Sequence, residues 1–207
     1  MNRRSLLLAG PLSAILFVFG VGALAVQVPG YSHLHQTVSE IGEVGSPVQV
    51  AFTVLLAAVA TCTGLFAFAI RNAAIAAHHS LAPAYLVGCM AISTLGVGLF
   101  AFPHPLHNVF GISELIGYQA PAAMALSWRR DSRARALVIA SWVMFALLWA
   151  AILLNLSSIF RSSALWLYIK PVNGAVQRSL FSAWFLWCAI AGAMLFRTMA
   201  LHPAQRA

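Results

Sequence analysis

Long apolar runs separated by short polar segments dominate the chain. Each run contains at most one charged residue, and the six runs cover residues 6–26, 48–70, 81–102, 109–128, 136–160 and 176–196. About 20 apolar residues in a helix are enough to cross the hydrocarbon core of a bilayer. Because lipid offers no hydrogen bonds to the backbone, each run is predicted to be helical. The pattern therefore predicts an all-α membrane protein, a bundle of about six transmembrane helices.

Two of the runs carry features that modify this picture. In the fourth run, Pro121 lacks the N–H that would bond the carbonyl of Gly117, so a kink is predicted there. In the first run, Arg3 and Arg4 precede an apolar stretch that contains Ala23-Leu24-Ala25, which is also the pattern of a cleavable signal peptide. The two interpretations of the first run stay open, and both leave the other five spans in place.

Composition excludes a water-soluble fold. The chain has 207 residues, 61% of them apolar and 8% charged, with a mean hydropathy of +0.87, whereas a soluble domain is about 45–50% apolar and about 25% charged. Little room is left outside the spans, so residues 1–207 are predicted to form a single integral membrane domain. The net charge of +8 is spread between the runs, which argues against a nucleic-acid partner. The predicted partners are membrane lipids, a lipid-like small molecule or other membrane proteins.

The distribution of cations between the polar segments predicts the orientation. Nine arginines fall at one end of the predicted bundle, namely Arg3, Arg4, Arg71, Arg129, Arg130, Arg133, Arg135, Arg197 and Arg206. Three cations fall at the other end, namely Arg161, Lys170 and Arg178. Because positive loops stay inside, the count predicts a multi-pass protein of the cell membrane with both termini in the cytoplasm. The segments 27–47, 103–108 and 161–175 are then outside.

The remaining polar chemistry gathers at this outer end. It includes three of the four acidic residues, Glu40, Glu43 and Glu114, and four of the seven histidines, His33, His35, His104 and His107. Glu114 lies five residues into the fourth run, a depth of roughly 8 Å at about 1.5 Å per residue. A carboxylate there needs a partner inside the protein. Arg178, at a similar depth in the sixth run, is the predicted partner.

Several short motifs resemble one family. The segment from Tyr31 to Gly42, followed by Gly45-Ser46-Pro47, resembles the start of the second span in the domain-of-unknown-function 998 family. Further matching stretches are Phe102-Pro103 with His107, Gly174 with Gln177-Arg178, and Trp184 with Trp187. The resemblance implies a six-span protein of a prokaryotic membrane, such as the bacterial inner membrane, and no established activity. Family members often carry an acid shortly after the Phe-Pro pair, where this chain has His104.

Six residues are candidates for a functional site. Glu40, His107 and Glu114 are candidate catalytic acid or base groups, and Ser39, Gln177 and Arg178 are candidate ligand-binding groups. Structural roles explain part of the same set. Ser39 and Glu40 suit the N-cap and first turn of the second span, and Glu114 with Arg178 suits a salt bridge between helices.

The outer histidines suggest a metal site. His33, His35, His104 and His107, with Glu40 or Glu114, offer the imidazole and carboxylate ligands that suit zinc or a similar divalent ion. An open coordination position on such an ion would activate water for hydrolysis. No other cofactor is implied.

Two classes of function therefore stay open. In the first, the outer Glu/His/Arg cluster binds a lipid headgroup or stabilises the bundle. In the second, the protein is a membrane-embedded, hydrolase-like enzyme that acts on a lipid or isoprenoid substrate. Transport ranks below both, since no pair of broken spans occupies equivalent positions in the two halves.

Overall fold

The computed structural model describes residues 4–200, without the side chains of 199 and 200. Its eight α-helices are α1 (Ala9–Ala25), α2 (Gln49–Ala76), α3 (Ala82–Leu99), α4 (Pro105–Gly117), α5 (Ala120–Trp128), α6 (Arg135–Leu156), α7 (Ala164–Ile169) and α8 (Asn173–Ala200). Short 3-10 helices precede or join several of them, and the described residues contain no strand. The all-α prediction is confirmed.

Within residues 4–200, five helical stretches are long and apolar enough to cross a membrane. They are Ser5–Ala25, Gln49–Ala76, Ala82–Leu99, Ser132–Leu156 and Ala164–Thr198. Their outer surfaces suit lipid, because large apolar side chains such as Phe19 (72% exposed) and Ile92 (66% exposed) point away from the bundle. The chain is therefore a multi-pass helical membrane protein.

The fourth predicted span is broken into α4 and α5. The first half ends at Gly117, and the second begins at Ala120, with Pro121 in its first turn. The N–H of Tyr118 still donates to the carbonyl of Glu114 at 3.0 Å, so the break is confined to a few residues. The break lies at the predicted position, next to the carbonyl of Gly117 that Pro121 cannot bond.

The helices form a ring around a common core. Going round, α1 packs against α2, α2 against α3, α3 against both halves α4 and α5, α5 against α6, α6 against α8, and α8 against α1. Small residues bring the first and last helices together, since a Cβ at Gly10 would lie 2.5 Å from the carbonyl oxygen of Cys188. The first apolar run is thus an integral part of the bundle packing.

The two ends of the ring differ. At one end, two of the three connections are long, residues 26–48 and 157–172, and the third, residues 100–104, is short; we call this end the long-loop end. At the opposite end the connections are short, and His79 lies 3.7 Å from the carboxylate of Asp131. The residues predicted to form a functional site all lie at or near the long-loop end.

Candidate functional site

A 3-10 helix at Val38–Gly42 begins the site. Thr37 caps it, and Glu40 completes a capping box by accepting hydrogen bonds from the Thr37 backbone N–H and, at 2.7 Å, from the Thr37 hydroxyl. The prediction that Ser39 caps the second span is wrong, because α2 begins only at Gln49. The local turn therefore uses the carboxylate of Glu40, and the hydroxyl of Ser39 is left for other contacts.

Arg178 in the first turns of α8 holds this loop in place. Its Nη1 donates to the carbonyl oxygens of His33 and Gln36, both at 2.8 Å, and of Gly174 at 2.9 Å. Its Nη2 donates to the hydroxyl of Tyr31. One guanidinium group thus binds three carbonyls and a phenol, a geometry that the planar fork of arginine suits.

Two further residues of α8 complete the attachment. Gln177 accepts a hydrogen bond from the Val38 N–H at 2.7 Å. Gly174 lets the loop backbone approach closely, because a Cβ there would lie 2.2 Å from the carbonyl oxygen of Gln36.

On the loop side, Tyr31 takes part through its phenol. Burial raises the pKa of Tyr31, so its phenol stays neutral and donates to the carbonyl of Thr37 at 2.7 Å. We call Arg178, Gln177 and Gly174, with loop residues 31–38, the loop clamp.

Glu114 and Arg178 are not partners, so the predicted ion pair is wrong. The carboxylate of Glu114 accepts a hydrogen bond from the hydroxyl of Tyr118, one turn along, at 3.0 Å. The guanidinium of Arg178 is turned toward the loop carbonyls instead. Similar depth in two helices does not bring side chains together unless both also point to the same side.

The side chain of Ser39 contacts that of His107, a buried residue that is 6% exposed. The Nδ1 of His107 lies 2.8 Å from the carbonyl oxygen of Phe100 and 3.2 Å from that of Val97. Carbonyls only accept hydrogen bonds, so Nδ1 carries the hydrogen and Nε2 is free to accept. The Ser39 hydroxyl lies 2.9 Å from Nε2 and donates to it.

A cavity opens beside this pair, inside the ring. Its walls come from α1, α2, α3, α4 and α8, and Val38 and Ser39 of the loop cover it. Most of the lining is apolar or aromatic, and its polar members are Ser39, Thr94, Glu114, Tyr118 and Trp184. Among residues 4–200, no lysine or arginine lines it.

The cavity is narrow. Its empty space, including the opening, is about 420 Å³, but only about 30 Å³ admits the centre of a water-sized sphere. A free volume of about 30 Å³ holds about two water molecules. We call this small space the slot.

Trp184, one of the residues that line this slot, has an unsatisfied hydrogen-bond donor. The side chain is 1% exposed, lines the cavity, and packs against the ring of Tyr118 with centroids 5.7 Å apart. Its Nε1 has no hydrogen-bond partner in the described part of the chain. A buried N–H without a partner costs about 1–3 kcal/mol. An acceptor placed in the cavity would recover that cost.

The four histidines predicted to bind metal do not converge. His35 bonds the carbonyl of Pro171 at 2.6 Å, and His104 caps α4 by accepting from Leu106 N–H at 3.1 Å. His107 is bound to Ser39, while His33 packs its ring against Tyr31. Within residues 4–200, no three His, Cys, Asp or Glu side chains lie close enough together to hold a metal ion. Each of the four imidazoles therefore contacts a different residue, and the four do not share one position.

Three polar members of the cavity, Thr94, Tyr118 and Trp184, were not predicted as site residues. Tyr118 stands four residues after Glu114, so the two share one face of the helix, and this spacing was the available signal. Trp184 entered only as part of the family resemblance. Its missing hydrogen bond depends on tertiary packing, for which a single sequence gives no signal.

The chain matches a known protein family. A family model described as "Protein of unknown function (DUF998)" matches residues 11–194. No curated protein and no solved structure matches the chain. The loop clamp, residues 31–38 with Gly174, Gln177 and Arg178, lies within the stretches that carried the resemblance.

Proposed function

Because the chain belongs to the DUF998 family, whose description names no activity, we propose a function from the site: the protein binds a single-chain amphiphile with an uncharged, oxygen-bearing head in the cavity under the loop clamp. The observation that carries the proposal is the buried Trp184 Nε1–H without a partner. Glu114 and Ser39 line the same cavity. These three groups would hydrogen-bond the head of the ligand, and the apolar wall would hold part of its chain.

The charge of the lining favours an uncharged head. A carboxylate or phosphate would have to lose its hydration next to Glu114, without a lysine or arginine among the described lining residues to compensate. Arg178, the residue predicted from sequence to bind a headgroup, is occupied by loop carbonyls. A hydroxyl or ester oxygen can accept a hydrogen bond from the Trp184 Nε1–H without the cost of desolvating a charge.

The narrow shape favours a single chain. The free space of about 30 Å³ is too small for two chains, and a single alkyl chain enters only as the side chains of the wall move apart. Aromatic rings of Phe17, Phe52, Phe181 and Phe185 contribute to its wall. Burying apolar surface there contributes about 25 cal/mol per Å². A two-chain phospholipid would fit only with one chain outside.

Indole NMR tests the proposal at the residue that carries it. The chain has six tryptophans, so ¹⁵N-tryptophan protein in micelles gives few indole signals, and Trp184→Phe assigns the one of interest. Titration with octan-1-ol is expected to shift the Trp184 Nε1–H signal downfield, because the N–H gains an acceptor. Octane should leave its position nearly unchanged.

Trp187 provides the internal control, since its Nε1 already donates to Ser141 at 3.1 Å. Its signal should move far less than that of Trp184. Equal shifts of both signals, or a shift of Trp184 by octane as large as that by octan-1-ol, would contradict the proposal. Glu114→Gln should weaken the response to octan-1-ol, because it alters the second group of the site.

We also propose that the long-loop end faces outward, on the count of nine arginines against three cations. In a background without Cys62, Cys89 and Cys188, we expect an impermeant maleimide added to intact cells to label Glu43→Cys and to spare Ser132→Cys. Permeabilised cells should show labelling at both positions. Labelling of Ser132→Cys alone in intact cells would reverse the orientation and place the cavity in the inner leaflet.

A further inference from the structure

Ser39 stands between a histidine and the cavity. Its hydroxyl donates to the Nε2 of His107 at 2.9 Å, and the residue also lines the slot. A hydroxyl within hydrogen-bond reach of an oriented base is the arrangement that activates serine as a nucleophile. Neither the family description nor the proposed binding function assigns such a role.

The imidazole is held in the orientation that this chemistry needs. The carbonyls of Phe100 and Val97 both face Nδ1, at 2.8 and 3.2 Å. They fix the tautomer with Nε2 unprotonated and turned to Ser39, the part that a third residue plays in a catalytic triad. Burial keeps the ring in place, since only 6% of His107 is exposed.

The hydrogen bond is not needed to hold the loop. Arg178 makes two bonds to loop carbonyls and one to Tyr31, and Gln177 makes a fourth bond to Val38 of the loop. The Ser39 hydroxyl adds one bond to this set. Its position over the cavity, next to a base, is therefore better explained by chemistry on the occupant.

We propose that Ser39 and His107 cleave an ester bond in the amphiphile bound by the cavity, an activity that rests on the proposed binding function. An ester combines an acceptor oxygen suited to Trp184 with an electrophilic carbon. Ser39 Oγ forms a bond to that carbon and its proton passes to His107 Nε2. The ester C–O bond then breaks, and the leaving alkoxide takes the proton and departs as an alcohol.

Water is the co-reactant that completes the cycle. It attacks the acyl-serine carbon while His107 Nε2 accepts its proton, and the bond from carbon to Ser39 Oγ breaks. The proton returns to Oγ, which releases a carboxylic acid. The sum is one ester and one water converted to one acid and one alcohol, with no change of oxidation state.

An alkyl fluorophosphonate tests the nucleophile directly, since Oγ displaces fluoride and keeps the phosphonyl group. We expect the reconstituted full-length protein to gain one adduct, located by mass spectrometry on Ser39. His107→Gln should slow labelling about 100-fold or more, the contribution of a general base. Ser162→Ala, at an exposed position of segment 157–172, is the matched control and should label at the wild-type rate.

Two outcomes would overturn the ester-cleaving activity. One is an adduct on a serine other than Ser39; the other is no adduct at all. Because the adduct is mapped in the wild-type protein, the result does not depend on whether Ser39→Ala folds. If octan-1-ol shifts the Trp184 signal while Ser39 stays unlabelled, the binding function stands and the activity fails; if neither effect occurs, both fail.

Discussion

Replacing Arg178 by glutamine is expected to release the first long loop and to lower the free energy of unfolding by about 2–4 kcal/mol. The reason is that three carbonyl oxygens and the Tyr31 hydroxyl lose one shared charged donor. Hydrogen bonds to charged groups contribute about 1.5–3 kcal/mol each, and losses within one network are not additive. Thermal and denaturant unfolding of the detergent-solubilised protein measures the change.

Arg161→Gln is the matched control for this experiment. Arg161 is exposed at the same end of the bundle, and its Nε donates to the carbonyl of Ser158 at 3.3 Å. Its replacement should change stability by less than about 0.5 kcal/mol. Arg178→Lys should also lose most of the stabilisation that Arg178 provides, because an ammonium group lacks the planar fork of the guanidinium. Equal effects of Arg161→Gln and Arg178→Gln would mean that the loop clamp does not hold the loop.

Gly174→Ala is expected to destabilise the same clamp by a different route. The added Cβ would lie 2.2 Å from the carbonyl oxygen of Gln36 and 2.7 Å from that of His33, and both are backbone atoms that a rotamer change cannot move. The loop must shift, which costs about 1–3 kcal/mol or more. The same unfolding measurements apply, together with proteolysis of segment 31–42.

Gly88→Ala gives the opposite expectation in a comparable helix. A Cβ at Gly88 in α3 meets nothing within 4 Å. Alanine is favoured over glycine inside a helix by up to about 1 kcal/mol, so this variant should be as stable as wild type or more stable. If Gly174→Ala behaved like Gly88→Ala, the close approach of loop and helix would not exist in the protein.

The fold was largely predictable because lipid limits the choices. A run of about 20 apolar residues has few alternatives to a helix in a bilayer, so five predicted spans correspond to described helices. Pro121 also predicted the break between α4 and α5. The short α7 was not predicted, because Ala164–Ile169 is too brief for a periodic signal and lies in the segment taken as a loop.

The site was predictable only in part. Ser39, His107 and Glu114 were selected by residue type, and all three lie in or beside the cavity. Their contacts were not predictable, since Ser39 and His107 are 68 residues apart and no spacing rule connects them. Arg178 was assigned to Glu114 on depth alone, whereas the direction of a side chain around the helix axis decides its partner. A single sequence indicates how deep a residue lies in the membrane more readily than the direction in which its side chain points around the helix axis.

Photocrosslinking is the most direct measurement of the central claim, that the cavity under the loop clamp binds an amphiphile. The protein is reconstituted in lipid nanodiscs with an alkyl alcohol that carries a diazirine, irradiated, digested and mapped by mass spectrometry. We predict saturable adducts on wall residues such as Leu56, Val97 and Phe181, which excess octan-1-ol competes away and Trp184→Phe reduces. Adducts confined to lipid-facing residues such as Phe19 and Ile92, growing linearly with probe and unaffected by competitor, would contradict it.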